Sequence, residues 1–423
     1  MASLNLQRNS EVFLSTVDLA AGAAVTSMTP SNTWKLEVLA GFAVTSSSAT
    51  QDITSLESGV NPDRSQQRFN TAVNPVDWNF QTYIRPTGVV TPAVANGTSA
   101  GTTVTGNAKP VADWFMWQAL VSNTKVATIT GEQSVWTTGG KLNTTNTASV
   151  TGAATTRSNF ASAQENHLYF VLDNVIYQVA NATVNQATVD AGIEEIATTT
   201  WTGMGTNLVE LTGTPRNNAV SVFGGILNNG TGILANANAA TITAPASYHP
   251  YNQMNVAGVI STNSFIKNRL SSIVFNHKAS AGAATDTYTF PVTALTFDYT
   301  NNITYLTPEE LATLNTPIGQ FVGTRAVTGS ATMYLRNDTN ESAQFLRNII
   351  SDSRTSSSAT TDANLIIGGS VAPYLAFRLP AVQFEFPQLA IEDVISMSVN
   401  FVGQEPSNSR GNGGEVTLVA AKV

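Results

Sequence analysis

The chain has 423 residues, of which 42% are hydrophobic and only 11% charged, and its formal net charge is −8. That length suits two domains and that apolar content suits packed cores, which excludes a disordered chain. The absence of cysteine excludes a disulfide frame and thiolate metal sites, and the lack of a dense Lys/Arg run excludes a protein that grips nucleic acid by neutralising phosphates.

Thr, Ser, Asn, Ala and Gly occupy the places that Lys and Glu usually fill, a composition suited to strands and turns. So few charges fit either a surface covered by other subunits or a neutral β-protein surface. The first twelve residues, with Arg8 and Glu11, are expected not to act as a signal peptide, and Leu19 to Val25 is too short for a membrane span. Membrane insertion is not expected.

Along the chain, Val12 to Ala20 reads as a short strand running into a helix start, with Ser15 and Asp18 as capping side chains. Trp78, Phe80, Thr82 and Ile84 alternate with Asp77, Asn79, Gln81 and Tyr83, the period-two pattern of a half-buried strand. Thr87 to Lys109 reads as a polar loop. Asp113 to Ser122 then predicts an amphipathic helix with Trp114, Trp117 and Val121 on one stripe, and Lys125 to Gln164 a second long loop. Ile193-Glu194-Glu195-Ile196 leads into a strand that buries Ala197, Thr199 and Trp201 and turns Thr198, Thr200 and Thr202 to the other face.

The same landmarks return further on. Thr304 to Ala312 resembles Val12 to Ala20, with Thr307 as N-cap, Pro308 at the first helical position and Glu310 closing a capping box. Tyr334-Leu335-Arg336 falls on Tyr83-Ile84-Arg85, and Ala331, Met333 and Leu335 form the buried face of that strand. A helix follows over Glu341 to Ser351, with Asp338 as a cap and Leu346, Ile349 and Ile350 on its stripe. Ile391-Glu392-Asp393-Val394 repeats Ile193 to Ile196; beyond it Ser396, Ser398 and Asn400 oppose Ile395, Met397 and Val399, and Gly403 falls on Gly205.

Three landmarks in one order predict an internal duplication. The expected fold is mainly β with flanking short helices, an α+β arrangement of two sandwich or barrel-like domains, residues 1–215 with long loop insertions and residues 216–423. The adjacent carboxylates Glu194, Glu195, Glu392 and Asp393 recur together and are read as a turn or a subunit contact rather than a metal site.

Residues Leu4 to Val17, Arg68-Phe69-Asn70, Trp78 to Pro86, Asn301 to Pro308, Pro317-Ile318-Gly319 and Thr328 to Thr332 together resemble the tail tube proteins of long-tailed bacteriophages of the T-five type. The likeness runs from the N-terminus to about Pro406. It implies a structural virion protein with two fused tail-tube-type domains in one polypeptide, three of which make a pseudo-sixfold ring that stacks into a tube in the virion tail. It also implies partners: tape-measure, tail terminator and tail-tip proteins, and viral DNA passing through the lumen without sequence-specific binding. Assembly is expected in the host bacterial cytoplasm. The family's immunoglobulin-like C-terminal domain is expected to be absent.

Within that reading, Thr198, Thr200, Thr202, Ser396, Ser398 and Asn400 are candidates to face the lumen, or alternatively an outer solvent face. Neutral hydroxyls and amides let a phosphate backbone pass without sticking. The long polar loops of the first half are read as reaching an adjacent ring. No cofactor is expected. Gly97-Thr98-Ser99-Ala100-Gly101 has the form of a nucleophile elbow but is followed by Thr102 to Gly106 rather than a helix, and His167, His249 and His277 sit in no catalytic spacing. An enzyme is therefore not expected. Another phage shell component, capsid or sheath, and a cell-surface layer or adhesin module are the competing readings.

Overall fold

The computed structural model describes residues 10–21, 33–53, 67–85, 113–121, 141–143, 165–172, 175–211, 265–278, 285–310, 315–337, 340–355, 361–369, 374–391, 394–404 and 416–421. The first set of elements is β1 (Ser10–Ser15), β2 (Thr33–Leu36), β3 (Ala43–Thr45), β4 (Ser48–Ile53), β5 (Gln67–Val73), β6 (Val76–Tyr83), α1 (Trp114–Val121), β7 (Lys141–Asn143), β8 (Asn166–Leu172), β9 (Val175–Gly192), β10 (Thr198–Gly205) and β11 (Asn207–Glu210). After a 3₁₀ turn at Asn268–Leu270 come β12 (Ser272–Lys278), β13 (Thr285–Pro291), β14 (Ala294–Thr300), β15 (Ile303–Leu306), β16 (Gly319–Val322), β17 (Ala326–Tyr334), α2 (Ser342–Thr355), β18 (Thr361–Ile367), β19 (Tyr374–Phe384), β20 (Gln388–Ala390), β21 (Ser396–Gly403) and β22 (Thr417–Ala421).

The protein is thus predominantly β, and its strand pairs are antiparallel. One series of pairings runs β3–β6–β10–β9–β14–β17–β21–β20. A second runs β2–β1–β8–β9–β11, and a third β13–β12–β18–β19–β22–β7. The long strand β9 belongs to two of them: residues up to Ala182 pair with β8 and β11, and residues from Thr183 to Gly192 pair with β10 and β14. Bending one strand between two layers lets both pack on a single core.

That core joins Val12, Leu14, Leu168 and Phe170 to Trp78, Phe80 and Trp201, and continues through Phe297, Phe377 and Phe401. The Trp117 ring of α1 lies 4.9 Å from Trp201 and 5.6 Å from Phe377, and Phe377 stacks on Phe297 at 4.2 Å. Asn301 donates to the Leu120 carbonyl at 2.7 Å, satisfying one of the orphan acceptors at the end of α1. In the later part, Phe345 of α2 stacks on Phe275 at 4.7 Å and touches Tyr288, Phe290 and Phe384.

Both predicted helices exist. On α1 the buried residues include Trp117 of the predicted stripe, with Met116 and Leu120; on α2 Ile349 is buried and Leu346 packs against the core as predicted, and Phe345 is buried beside them. The entry to α2 is closed by Ser342, whose hydroxyl accepts from Arg336 N–H and donates to the Tyr334 carbonyl, and by Gln344, which accepts from Asn340 N–H; Asp338 lies outside the described residues.

The two predicted helix starts of the first landmark are not helices. Ser15 accepts from Val17 N–H and Asp18 from Ala21 N–H, so these side chains do cap backbone donors, but of a turn. At Thr307 to Glu310 the chain is irregular, and Glu310 N–H donates to Asn315 Oδ1. Nor do the strands of this landmark correspond. β1 pairs with β2 and β8, whereas β15 forms a two-stranded sheet with β16. The local sequence likeness reflects similar turn chemistry rather than equivalent places. The loop expected over Lys125 to Gln164 includes β7, which pairs with β22.

Asp113 opens α1 with its carbonyl accepting from Met116 N–H. Its carboxylate accepts a 2.9 Å hydrogen bond from the Thr82 hydroxyl, which in turn accepts from Trp201 Nε1 at 2.9 Å. Burial pushes this carboxyl up to about 6, against the opposing pull of the Thr82 hydrogen bond. The folded state therefore holds the proton more tightly than the unfolded chain. Stability from this group is greatest below the ordinary carboxylate range and falls as pH rises from about 4 to about 6. Asp113→Asn is expected to remove that slope. Its denaturation curves should match the native protein near pH 4 and show a gain on the order of 2–3 kcal/mol at pH 7; an unchanged pH dependence would refute the assignment.

Candidate functional site

The alternation read in the sequence places one apolar and one polar face on the long series of strands. On the apolar side Phe80, Trp201, Ala187, Tyr299 and Val327 stand in one cross-strand row, and Thr199, Val189, Phe297, Gly329 and Phe401 in the next; all are buried. Gly329 is required by close approach: a Cβ there would lie 2.4 Å from the Phe401 ring.

The polar side follows the same registers. Gln81, Thr200, Thr188, Asp298 and Thr328 form one row, and Tyr83, Thr198, Asp190, Thr296, Ser330 and Asn400 the next. A further row holds Thr332, Ser398 and Gln388. The rows are knitted by side-chain hydrogen bonds. Gln81 donates to Thr200 at 3.0 Å, Thr188 to Asp298 at 2.5 Å, and the Thr296 and Ser330 hydroxyls meet at 2.6 Å. Asn400 donates to Glu385 at 3.0 Å. The eight strands β3, β6, β9, β10, β14, β17, β20 and β21 contain no Lys or Arg; their charges are Asp77, Asp190 and Asp298. The face is thus neutral to acidic over its whole breadth.

All six residues singled out from sequence, Thr198, Thr200, Thr202, Ser396, Ser398 and Asn400, lie on this face, brought into one surface by the intervening strands β9, β14 and β17. Sequence reasoning missed Gln186, Thr188 and Asp190 on β9 and Thr296 and Asp298 on β14. The signal was present: Gln186 to Asp190 and Thr296 to Thr300 alternate polar with apolar as clearly as the strands that were recognised.

Glu194 and Glu195 occupy an exposed turn between β9 and β10, and the Glu195 carbonyl accepts from Asn268 N–H at 3.4 Å. Glu392 and Asp393 lie outside the described residues, as do Ser99 and His249. His167 is buried, with Nδ1 3.3 Å from Gln178 Nε2, and His277 Nδ1 is 3.0 Å from the Thr361 hydroxyl. Among the described residues no cluster of three metal-ligating side chains occurs, and no helix is long and apolar enough to cross a membrane.

Residues 268–413 match the family described as phage tail tube protein. Over 411 residues the chain is 27% identical to tail tube protein pb6 of Escherichia phage T5, an alignment that covers 94% of this chain and 72% of that protein.

Half-buried hydroxyls and carboxylates that keep access to water add little to folding, whereas the buried face tolerates no added volume. Asp298→Asn and Ser398→Ala are each expected to change unfolding free energy by less than about 1 kcal/mol, and Gly329→Ala to cost about 2–3 kcal/mol. Urea denaturation of the three variants checks this. A large loss from either polar substitution would make the polar face a stability element.

Proposed function

Since the chain belongs to the T5-type family of phage tail tube proteins, we propose that it acts as a ring subunit whose polar sheet face lines the lumen through which viral DNA leaves the virion. The protein is a structural component of the virion tail and assembles with other tail proteins into a tube. The finer reading is that three copies, each contributing two tube domains (residues 1–215 and 216–423), close a pseudo-sixfold ring, and that rings stack with a tape-measure protein setting the length. Tail terminator and tail-tip proteins would meet the two ends. Assembly takes place in the host cytoplasm before the virion is complete.

The observation that carries this reading is the continuous polar face without a cation. DNA is held through phosphate contacts to Lys and Arg, each of which releases counterions on binding. A wall of Thr, Ser, Asn and Gln with scattered Asp offers phosphate no such partner, and its carboxylates repel phosphate mildly. Such a surface is suited to passage rather than to retention.

The two-domain reading is supported by chain order. β1, β2, β3, the β4–β5 hairpin, β6, α1, β8, β9, β10 and β11 are followed, in sequence, by β12, β13, β14, the β15–β16 hairpin, β17, α2, β18, β19, β21 and β22. The pairings agree: β10 lies beside β6 and β9, as β21 lies beside β17 and β19. Even the register repeats, for Tyr83 opposes Thr198 as Tyr334 opposes Ser396.

Negative-stain microscopy of the purified protein tests the assembly; hollow tubes built of threefold rings are the expected result, and a stable monomer at high concentration counts against it. The lumen assignment is tested by replacing Thr200 and Ser398 together with Lys. Phage carrying these tubes are expected to form tails of normal length and to eject DNA several-fold more slowly, followed by dye release in bulk. Normal ejection kinetics from normal tails would place this face on the outside.

A further inference from the structure

The joint where α1 lies on β6 and β10 holds a small polar group inside an otherwise apolar part of the core. Asp113, Trp117 and Thr199 are 3%, 2% and 0% exposed. Asp113 Oδ1, Trp117 Nε1 and Thr199 Oγ1 are each buried without a hydrogen-bond partner among the described residues. Buried polar atoms are as a rule bonded to protein or to ordered water, so three orphans at one joint call for a common partner.

The surrounding contacts bring the three together. Thr82 donates its hydroxyl to Asp113 Oδ2 at 2.9 Å and accepts from Trp201 Nε1 at 2.9 Å, which leaves only the Oδ1 side of the carboxyl free. Thr199 stands directly opposite Thr82 across the β6–β10 pair, so both side chains project from one side of the sheet, their Cβ atoms about 4.5–5.5 Å apart. Trp117 follows Asp113 by one helical turn, and its ring meets Trp201 edge to face at 4.9 Å. Burial raises the proton affinity of the Asp113 carboxyl, and Thr82, Trp117 and Trp201 all stand near enough to oppose that rise. We propose that a single water molecule is bound at this joint, bridging Asp113 Oδ1, Trp117 Nε1 and Thr199 Oγ1 as an integral part of the fold.

The donor and acceptor inventory selects water. An indole N–H only donates, so its partner must accept; an ionised carboxylate only accepts, so its partner must donate. A metal cation or an ammonium ion cannot accept from the indole, and a chloride ion would face the carboxylate. Water does both. Accepting from Trp117 and donating to Asp113 and Thr199, it makes three hydrogen bonds, the usual number for a buried water. When Asp113 takes up a proton on Oδ1, the water turns, accepts from Oδ1 and still donates to Thr199. The same molecule therefore serves both states of the carboxyl. It joins the helix to both strands directly behind the polar residues Thr198 and Thr200, and it solvates a carboxyl that the apolar packing of Trp117 on Phe377 would otherwise isolate.

A crystal structure or cryo-electron map of the native protein, at a resolution that shows ordered water, tests this together with Thr199→Ser and Thr199→Val. One water within hydrogen-bond distance of all three atoms is expected in the native protein. Thr199→Ser should keep it, because the hydroxyl remains. Thr199→Val has nearly the same shape without the hydroxyl; it is expected to lose or weaken the density and to lower the folding equilibrium constant in urea several-fold. A dry joint gives the opposite sign, since deleting an unpartnered buried hydroxyl removes a penalty and raises that constant. A Thr199→Val protein more stable than the native one overturns the proposal. So does a native map with no water between the three side chains, with a water that touches only one or two of them, or with oxygen contacts near 2.4 Å, which mark a cation. Should Thr199→Val fold too poorly to measure, the native map decides alone.

Discussion

The structure depends on the double pairing of β9. Its first part is held between β8 and β11, its last part between β10 and β14, and the same eighteen-residue strand therefore ties two series of strands together and joins the earlier strands of the chain to β14. A strand with both edges satisfied along its length has no free backbone donors to bury or to shield. Fixing its path fixes the rest: Ala187 and Val189 point into the core, so Gln186, Thr188 and Asp190 must point away from it. Through the registers that choice assigns a face to every residue of β10, β14, β6 and β17.

This explains why the polar face was legible in the sequence where it was. Thr198, Thr200 and Thr202 alternate with residues as different as Thr199 and Trp201, and Ser396, Ser398 and Asn400 with Met397 and Val399. Period two is a local property that a sequence displays directly. The union of these strands into one surface is not local. Nothing in Asp298 announces that it meets Thr188, more than a hundred residues earlier, and the missed residues on β9 and β14 are those whose meaning comes from such pairing. The helix starts misread at Ser15 and Thr307 show the converse. Side chains that cap a helix also cap a turn, and the choice between them is made by packing beyond the segment.

Division of labour between the two faces follows from the physics of each. On the buried face aromatic residues are accommodated by glycine opposite them, as Phe401 is by Gly329, and Trp78 by Gly203, where a Cβ would lie 2.2 Å from the indole. Such fits leave no freedom for substitution. The other face is composed of short side chains that satisfy each other across strands, with no long cation to reach out from the wall. The sheet is thus rigid behind and uniform in front.

β9 runs unbroken to Gly192, whereas the path that pairs with β21 is cut into β19 and β20, and Pro387 stands in the gap. Proline removes a ladder donor and fixes φ, so it interrupts a strand where one continuous edge would otherwise form. The result is an edge of three residues instead of a long flat one, with Glu385 just before it. Short edges flanked by charge and proline are poor templates for indiscriminate pairing. A strand that offers only Gln388, Leu389 and Ala390 has little affinity on its own for a random β edge. The break thus shortens an edge that would otherwise be a template for indiscriminate pairing.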